Sequence, residues 1–324
     1  MQLDHEFYKL PFTFDVEKLQ EEVARFTVED WTDRGAKAFE GNTAIQLVST
    51  NGEVNDSFNG PMETTDALES CPYVKQVIAQ FNQVVGRSRL MRVAPGKSVP
   101  PHRDSHYHWH KRSRLHIPIF TSDKVRFLCK DKEINMKAGE TWLLNTWELH
   151  SVHNDSDAFR VHLVVDFSPS GNFWDLLNMS FKPGYDSDEL VDSKFVEYDE
   201  GGFYEVLTEK YCVPLVMSAG EVDGIMEFIC KEVRLDSRNS ESDLVRFENK
   251  VRLFMADWRA HWYMNGAEES GWESGNVLVR KYFNEFKSMQ LQLVLPSGAP
   301  AINVIKNLVF SKLVNDDQRG SKVV

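Results

Sequence analysis

Eight of the ten histidines (His102, His106, His108, His110, His116, His150, His153 and His162) fall between residues 102 and 162 of a 324-residue chain. Imidazole concentrated in this way points to a metal, because neutral histidine is the commonest metal-binding side chain. The pair His102-x-Asp104 sharpens the point. On an extended segment, residues i and i+2 project the same way, so an imidazole and a carboxylate reach a single ion.

One more imidazole would complete a two-histidine, one-carboxylate set. That donor set leaves coordination positions open and is the usual platform for non-haem Fe(II) oxygenases. The segment Leu149-His150-Ser151-Val152-His153-Asn154 offers two candidates, His150 and His153. Ten residues after His150, Arg160 opens the run Arg160-Val161-His162-Leu163-Val164-Val165-Asp166, whose alternation puts Arg160, His162 and Val164 on one face. An arginine inside a sandwich is costly unless it holds an anion, and its planar fork suits a carboxylate. On these residues alone, both His150 and His153 remain candidates for the second imidazole.

The elements that must hold these groups are short strands. From 88 to 168, the apolar runs RLMRVA, RLHIPIF, VRFLC, EINM, TWLLN and RVHLVVDF alternate with turn residues, as in an antiparallel sandwich or barrel. Ahead of them, residues 15–27 read as an amphipathic helix, 43–49 as a strand ending at Asn51-Gly52, and 74–84 as a helix over a sheet face. Residues 181–205 are rich in Asp, Glu, Gly and Ser and read as a solvated acidic linker. Beyond it the pattern is helical. Ser218-x-x-Glu221 is a capping box, followed by a stripe of Val222, Ile225, Met226, Ile229 and Val233. A longer helix carries Leu244, Phe247, Val251, Phe254, Met255, Trp258 and Trp262 and stops at Asn265-Gly266, and two more helices are expected near 276–289 and 300–313. These aromatic and methionine stripes read as core.

Composition narrows the function classes. The chain is 42% hydrophobic and 27% charged, with 37 basic against 49 acidic residues and a formal charge of −12. Mean hydropathy is −0.41 and the pI is near 5.4. Acidic excess argues against nucleic acid as the main partner. No run approaches the ~20 apolar residues that span a bilayer, and MQLDHEFYKLPF has no signal-peptide character. Cys71, Cys129, Cys212 and Cys230 form no CxxC pair and read as free thiols. A cytoplasmic protein with no membrane partner is the expectation. Against the acidic whole, residues 86–116 carry eight cations (Arg87, Arg89, Arg92, Lys97, Arg103, Lys111, Arg112 and Arg114) and one acid, Asp104, which suits anionic small molecules.

Over about residues 70–168 the chain resembles the aspartyl/asparaginyl β-hydroxylase family of 2-oxoglutarate-dependent oxygenases, which includes bacterial proline hydroxylases. The carriers are Cys71-Pro72-Tyr73, Arg89-Leu90-Met91-Arg92 leading to Pro95-Gly96, and His102-x-Asp104. They continue through Arg114-Leu115-His116-Ile117-Pro118, Gly139-Glu140-Thr141-Trp142, His150-x-Val152-x-Asn154 and Arg160-Val161-His162. Some members have a serine where this chain has Met91, so one co-substrate hydrogen bond is missing or replaced.

The resemblance implies a mainly β fold with α elements. Its core would be a double-stranded β-helix (jelly-roll, cupin-like), with N-terminal helices and a helical C-terminal subdomain. The boundaries expected are 1–180, 181–205 and 206–324. It implies that His102, Asp104 and His150 hold Fe(II), and that Arg160 pairs with the distal carboxylate of 2-oxoglutarate, with Arg114, His116 and His162 at or near that co-substrate. Arg92, His106 and Trp109 are the candidate substrate contacts. His106, His108 and His110 alternate, and read as a loop face beside the iron in preference to a zinc site.

The expected activity is hydroxylation, with O2 as second co-substrate, of an unactivated C–H in an amino acid or small peptide-like molecule, releasing succinate and CO2. Two rivals stand beside it: a hydroxylase of protein Asp or Asn side chains, and a non-catalytic jelly-roll protein that binds a metal or small acid. The helical subdomain either closes over the pocket or forms a homodimer interface.

Overall fold

A computed structural model of the chain describes residues 2–33, 39–187 and 192–315. It divides into two compact units, one of Met1–Asp104 with Lys111–Cys212 and one of Ser105–His110 with Val213–Val324.

The first unit is built of strands β1 (Phe7–Phe14), β2 (Thr32–Asp33), β3 (Asn42–Thr50), β4 (Met62–Thr64), β5 (Val84–Val93), β6 (Ser98–His102), β7 (Ser113–Phe120), β8 (Val125–Cys129), β9 (Lys132–Ile134), β10 (Glu140–Leu144), β11 (His150–Asn154), β12 (Arg160–Ser168) and β13 (Lys194–Val196). They form two sheets. The larger runs β13-β1-β10-β7-β12-β5-β3-β2, with β4 on β3, and the smaller runs β6-β11-β8-β9. Strands β5 to β12 thus distribute between the sheets so that β5-β12-β7-β10 belongs to one and β6-β11-β8-β9 to the other, every pair antiparallel. This is the strand order of a double-stranded β-helix.

Alternation along these strands fills the core. Phe7, Val93, Val125, Phe127, Trp142, Leu144 and Val152 form one buried cluster contributed by both sheets. Removing such side chains from water is the main favourable term, about 1.5–3 kcal/mol for each large one. Turns behave as their residues require. Gly139 has φ +79°, and a Cβ there would lie 2.8 Å from the Phe14 carbonyl oxygen. Only glycine lets β10 start this close to β1.

Helix α1 (Val16–Val23) falls within the expected 15–27, with Asp15 accepting from the Lys18 amide as its cap. Helices α2 (Asp66–Glu69) and α3 (Pro72–Ala79) follow, and α3 stops five residues short of the expected end because Asn82 turns left-handed at φ +47°. The presumed linker is only partly one. Its residues 194–196 are β13, parallel to β1, and the Val196 carbonyl accepts from the Tyr73 hydroxyl at 2.5 Å. Helix α5 (Gly171–Asn178) precedes it.

The second unit holds α6 (Ala219–Leu235), α7 (Glu241–Asn265), α8 (Trp272–Ser288) and α9 (Ala301–Ile305), the last continuing as a π-helical turn over Lys306–Phe310. Half of the expected capping box is present, Ser218 Oγ accepting from the Glu221 amide. The apolar stripes of α6 and α7 are buried as anticipated, except that Met255 and Trp262 are half-buried. Where a subdomain starting at 206 was expected, residues 206–212 group with the β unit. There Val85 bridges Thr208, and Glu209 takes both Nε and Nη2 of Arg112 at 2.6 Å. Among the described residues no helix is long and apolar enough to cross a membrane.

Candidate metal centre and its buried arginine

His102 and His150 end β6 and open β11, and the register makes them direct cross-strand partners. Their ring centroids are 4.2 Å apart. Each Nδ1 lies on a backbone carbonyl two residues earlier, His102 on Pro100 at 2.8 Å and His150 on Glu148 at 2.9 Å. Such a contact assigns the proton to Nδ1 and leaves Nε2 as the lone-pair donor, the arrangement that metal-binding histidines need. Asp104 lies just past β6, its amide donating to the Thr146 carbonyl at 2.9 Å, and its Oδ1 is 3.7 Å from His102 Nε2. One ligand atom from each of the three residues lies within 4.8 Å of the other two. Among the described residues this is the one group of three or more metal-ligating side chains so placed. His153, the alternative second imidazole, instead contacts Ser151 Oγ at 3.3 Å.

The protonation states suit a cation. Burial brings the His150 imidazole down to about 4, so it is neutral at pH 7. Burial alone would raise the Asp104 carboxyl, but the Arg114 guanidinium together with the His150 and His102 imidazoles outweighs it and holds Asp104 below the ordinary value, as a carboxylate.

Behind this group, alternation on β12 points Arg160, His162, Val164 and Asp166 to one face. The register places His162 beside Met91 and Pro118, and Val164 beside Arg89 and His116. Arg160 is 3% exposed, its guanidinium 4.9 Å from the centroid of the Phe127 ring. Its Nε and Nη2 have no hydrogen-bond partner, nor do the ring nitrogens of His116 and His162. Burial lowers the Arg160 guanidinium to about 9, still charged at pH 7. Burial, with the positive Arg160 beside them, pushes His116 and His162 well below the ordinary imidazole value. His162 stacks on Phe127 at 5.2 Å and 19°. One positive charge, two neutral imidazoles and an aromatic wall form a site short of one anion. An uncompensated buried charge costs several kcal/mol.

Arg114 is committed elsewhere. Its Nε and Nη2 close a fork on Asp166 at 2.7 and 3.0 Å, and its Nη1 donates to Asp104 Oδ2 at 2.7 Å. Asp166 was missed in the sequence, although the alternation that selected Arg160, His162 and Val164 reaches it two residues later. Arg92 is not brought to this face. It pairs across from Val161 and Thr43 on the opposite side of the sheet, donates from Nε to Thr43 Oγ1 at 2.9 Å, and lies between the rings of Trp31 and Phe159. His106 and Trp109 belong to Ser105–His110, which groups with the helical unit. Part of that segment is helix α4 (Tyr107–Lys111) instead of the expected alternating loop, with Tyr107 donating to Glu221 at 2.5 Å.

The donor set fits a divalent ion of borderline hardness, two imidazoles and one carboxylate with room left in the coordination sphere. The unpaired polar atoms of Arg160 fit a carboxylate-bearing co-substrate.

Comparison with known proteins agrees. Residues 15–169 match the family described as Aspartyl/Asparaginyl beta-hydroxylase. The chain is 30% identical over 113 residues to an L-proline cis-4-hydroxylase of Rhizobium meliloti (strain 1021), which is 34% of this chain and 40% of the relative. It is 27% identical over 154 residues to L-proline cis-3-hydroxylase 1 of Streptomyces sp, 45% of this chain and 53% of the relative. The chain therefore spans about half the length, or less, of these curated relatives. A Pseudomonas putida prolyl-4-hydroxylase structure aligns with TM-score 0.34 and 13% identity, covering 52% of this chain and 95% of that one. Over residues 15–169, which hold His102, Asp104, His150 and the buried Arg160, the chain is similar to the aspartyl/asparaginyl β-hydroxylase family.

Proposed function

We propose that the protein is an Fe(II)- and 2-oxoglutarate-dependent hydroxylase of an amino acid or a small peptide-like substrate, consuming O2 and releasing succinate and CO2. The observation that carries this reading is Arg160, buried, charged and with two unpaired nitrogens, inside the same double-stranded β-helix that clusters His102, Asp104 and His150. A metal-binding protein without turnover has no use for a second, buried carboxylate receptor in that core.

His102, Asp104 and His150 would hold the iron. Bound iron supplies the coupling of 2-oxoglutarate decarboxylation to oxidation of a C–H bond. The protein's own groups do the rest. Arg160 takes the distal carboxylate of 2-oxoglutarate, orienting its 2-oxo end toward the ligands. His116 and His162 remain neutral, so the receptor carries a single positive charge for a single carboxylate. Phe127, Trp142 and Leu144 keep water from the core around it.

The curated relatives are named for hydroxylation of L-proline, which supports a free amino acid over a protein side chain as substrate. Four free thiols are in keeping with a cytoplasmic, reducing setting.

The test is anaerobic absorption spectroscopy of the protein titrated with Fe(II) and then 2-oxoglutarate. A charge-transfer band that is lost in His150→Ala and weakened in Arg160→Ala supports the reading. A folded protein that binds metal yet shows no band would leave only a binding protein. Succinate release across the amino acids then identifies the substrate.

A further inference from the structure

We propose that Asp166 is a positioning residue of the metal centre, acting through Arg114 to keep one oxygen of Asp104 away from the ion. The inference rests on the iron-site reading above. Asp166 is six residues past Arg160 on β12, and the register makes it the cross-strand partner of Arg114 on β7. Two parallel bonds, Nε to Oδ1 at 2.7 Å and Nη2 to Oδ2 at 3.0 Å, fix the plane of the guanidinium. A guanidinium fixed by that edge has one direction left for Nη1, and Nη1 meets Asp104 Oδ2 at 2.7 Å. All three side chains are buried, so these bonds act without solvent screening.

The consequence concerns Asp104. A carboxylate can give a metal one oxygen or both. Here Oδ2 is held by a short charge-assisted bond, while Oδ1 is the oxygen near His102 Nε2, at 3.7 Å. An ion in this triad therefore takes one oxygen from Asp104, and the position that a second oxygen would fill stays available to co-substrate or O2. Asp166 contributes a second effect. By sharing the positive charge of Arg114 between two carboxylates, it prevents that charge from neutralising Asp104 alone, which leaves Oδ1 the better ligand.

The test uses the full chain and Co(II), whose visible bands report coordination number, with no substrate and no turnover. The variants are Asp166→Asn, which keeps the shape and removes the charge, Arg114→Lys, which cannot form the fork, and the two combined. We expect Asp166→Asn to weaken Co(II) binding about tenfold or more and to alter the visible bands, at an unchanged far-ultraviolet circular dichroism spectrum. The combined variant is expected to bind no more weakly than Arg114→Lys alone, because Asp166 works through Arg114. Wild-type affinity and bands in Asp166→Asn overturn the proposal, as do fully additive losses in the combined variant. If Asp166→Asn does not fold, Arg114→Lys decides, and unchanged bands there overturn it equally. A His150→Ala control separates the two readings. Co(II) binding that needs His150 but ignores Asp166 sinks only this proposal, whereas a wild type that binds no Co(II) sinks the metal centre with it.

Discussion

His102 and His150 are 48 residues apart in the chain and face each other directly across β6 and β11, ring centroids 4.2 Å apart, each ring turned by a backbone carbonyl so that Nε2 is free. The sheet register itself thus brings two candidate ligands together, and the third candidate follows His102 by two residues in sequence. Because backbone carbonyls do the orienting, the imidazoles are in place before any ion arrives.

That preorganisation makes a specific prediction for His150→Ala. Binding of Co(II) or Fe(II) should fall by at least about a hundredfold, a larger loss than the 10–100-fold that outer contacts usually give. The metal-free fold should be retained, since His150 adds one partner in a five-residue strand already paired on both sides. Isothermal titration with Co(II) beside thermal melting checks both halves. A variant that melts normally and still binds with wild-type affinity would remove His150 from the ligand set.

Arg160 invites a prediction in which stability and binding move oppositely. Its guanidinium is buried with Nε and Nη2 unbonded, a cost to the folded state that a bound carboxylate would offset. Arg160→Met keeps much of the volume and removes the charge. The variant without ligand should therefore melt about 2 °C or more above wild type, given roughly 2–4 °C per kcal/mol for a unit of this size. The rise in melting temperature that 2-oxoglutarate gives the wild type should vanish. Equal melting temperatures combined with retained stabilisation by 2-oxoglutarate would show that the carboxylate binds elsewhere.

Much of this was legible in sequence because the chemistry lies on strands, where a period of two decides the face. The run from Arg160 to Val164 projects as read, and the apolar runs from 88 to 168 became the strands of the double-stranded β-helix. What escaped notice has identifiable causes. Strand β1 contains Pro11, which has no N–H for a ladder and argues against a strand. The structure accommodates it in an irregularity between Leu10 and Thr13, where the pairing with β10 shifts register. Arg92 has the right charge in the right segment, but one residue of offset from Met91 places it on the other face. Asp166 carried no role in the sequence reading, because only the partner strand shows that it faces Arg114.

The placement of Arg92 can be checked directly. Arg92→Gln should leave Co(II) and 2-oxoglutarate affinities within twofold of wild type, because the side chain faces Trp31, Phe159 and Thr43 and not the His162 face. Stability should drop by about 1 kcal/mol, the loss expected from two partly desolvated cation–π contacts and a hydrogen bond. Denaturant melts and ligand titrations on one preparation give both numbers. A large loss of 2-oxoglutarate affinity with unchanged stability would place Arg92 in the site after all.

Acid sensitivity follows from the same buried histidines. His116 and His162 lie well below the ordinary imidazole value and His150 is at about 4, each mainly through burial. In the unfolded chain all three take up a proton near pH 6.5. Between that pH and about 4 the unfolded state therefore binds more protons than the folded one, so stability without metal rises with pH and is lost as pH falls. Each such histidine contributes up to about 1.4 kcal/mol per pH unit. Urea midpoints measured from pH 7.5 to pH 5 should fall with a slope of about three protons from these histidines at the acid end, to which His261, also lowered by burial, adds. His162→Phe, which keeps a ring against Phe127, should lower that slope by about one proton. An unchanged slope in His162→Phe would mean that His162 is protonated in the folded protein, and that the receptor around Arg160 carries two positive charges instead of one.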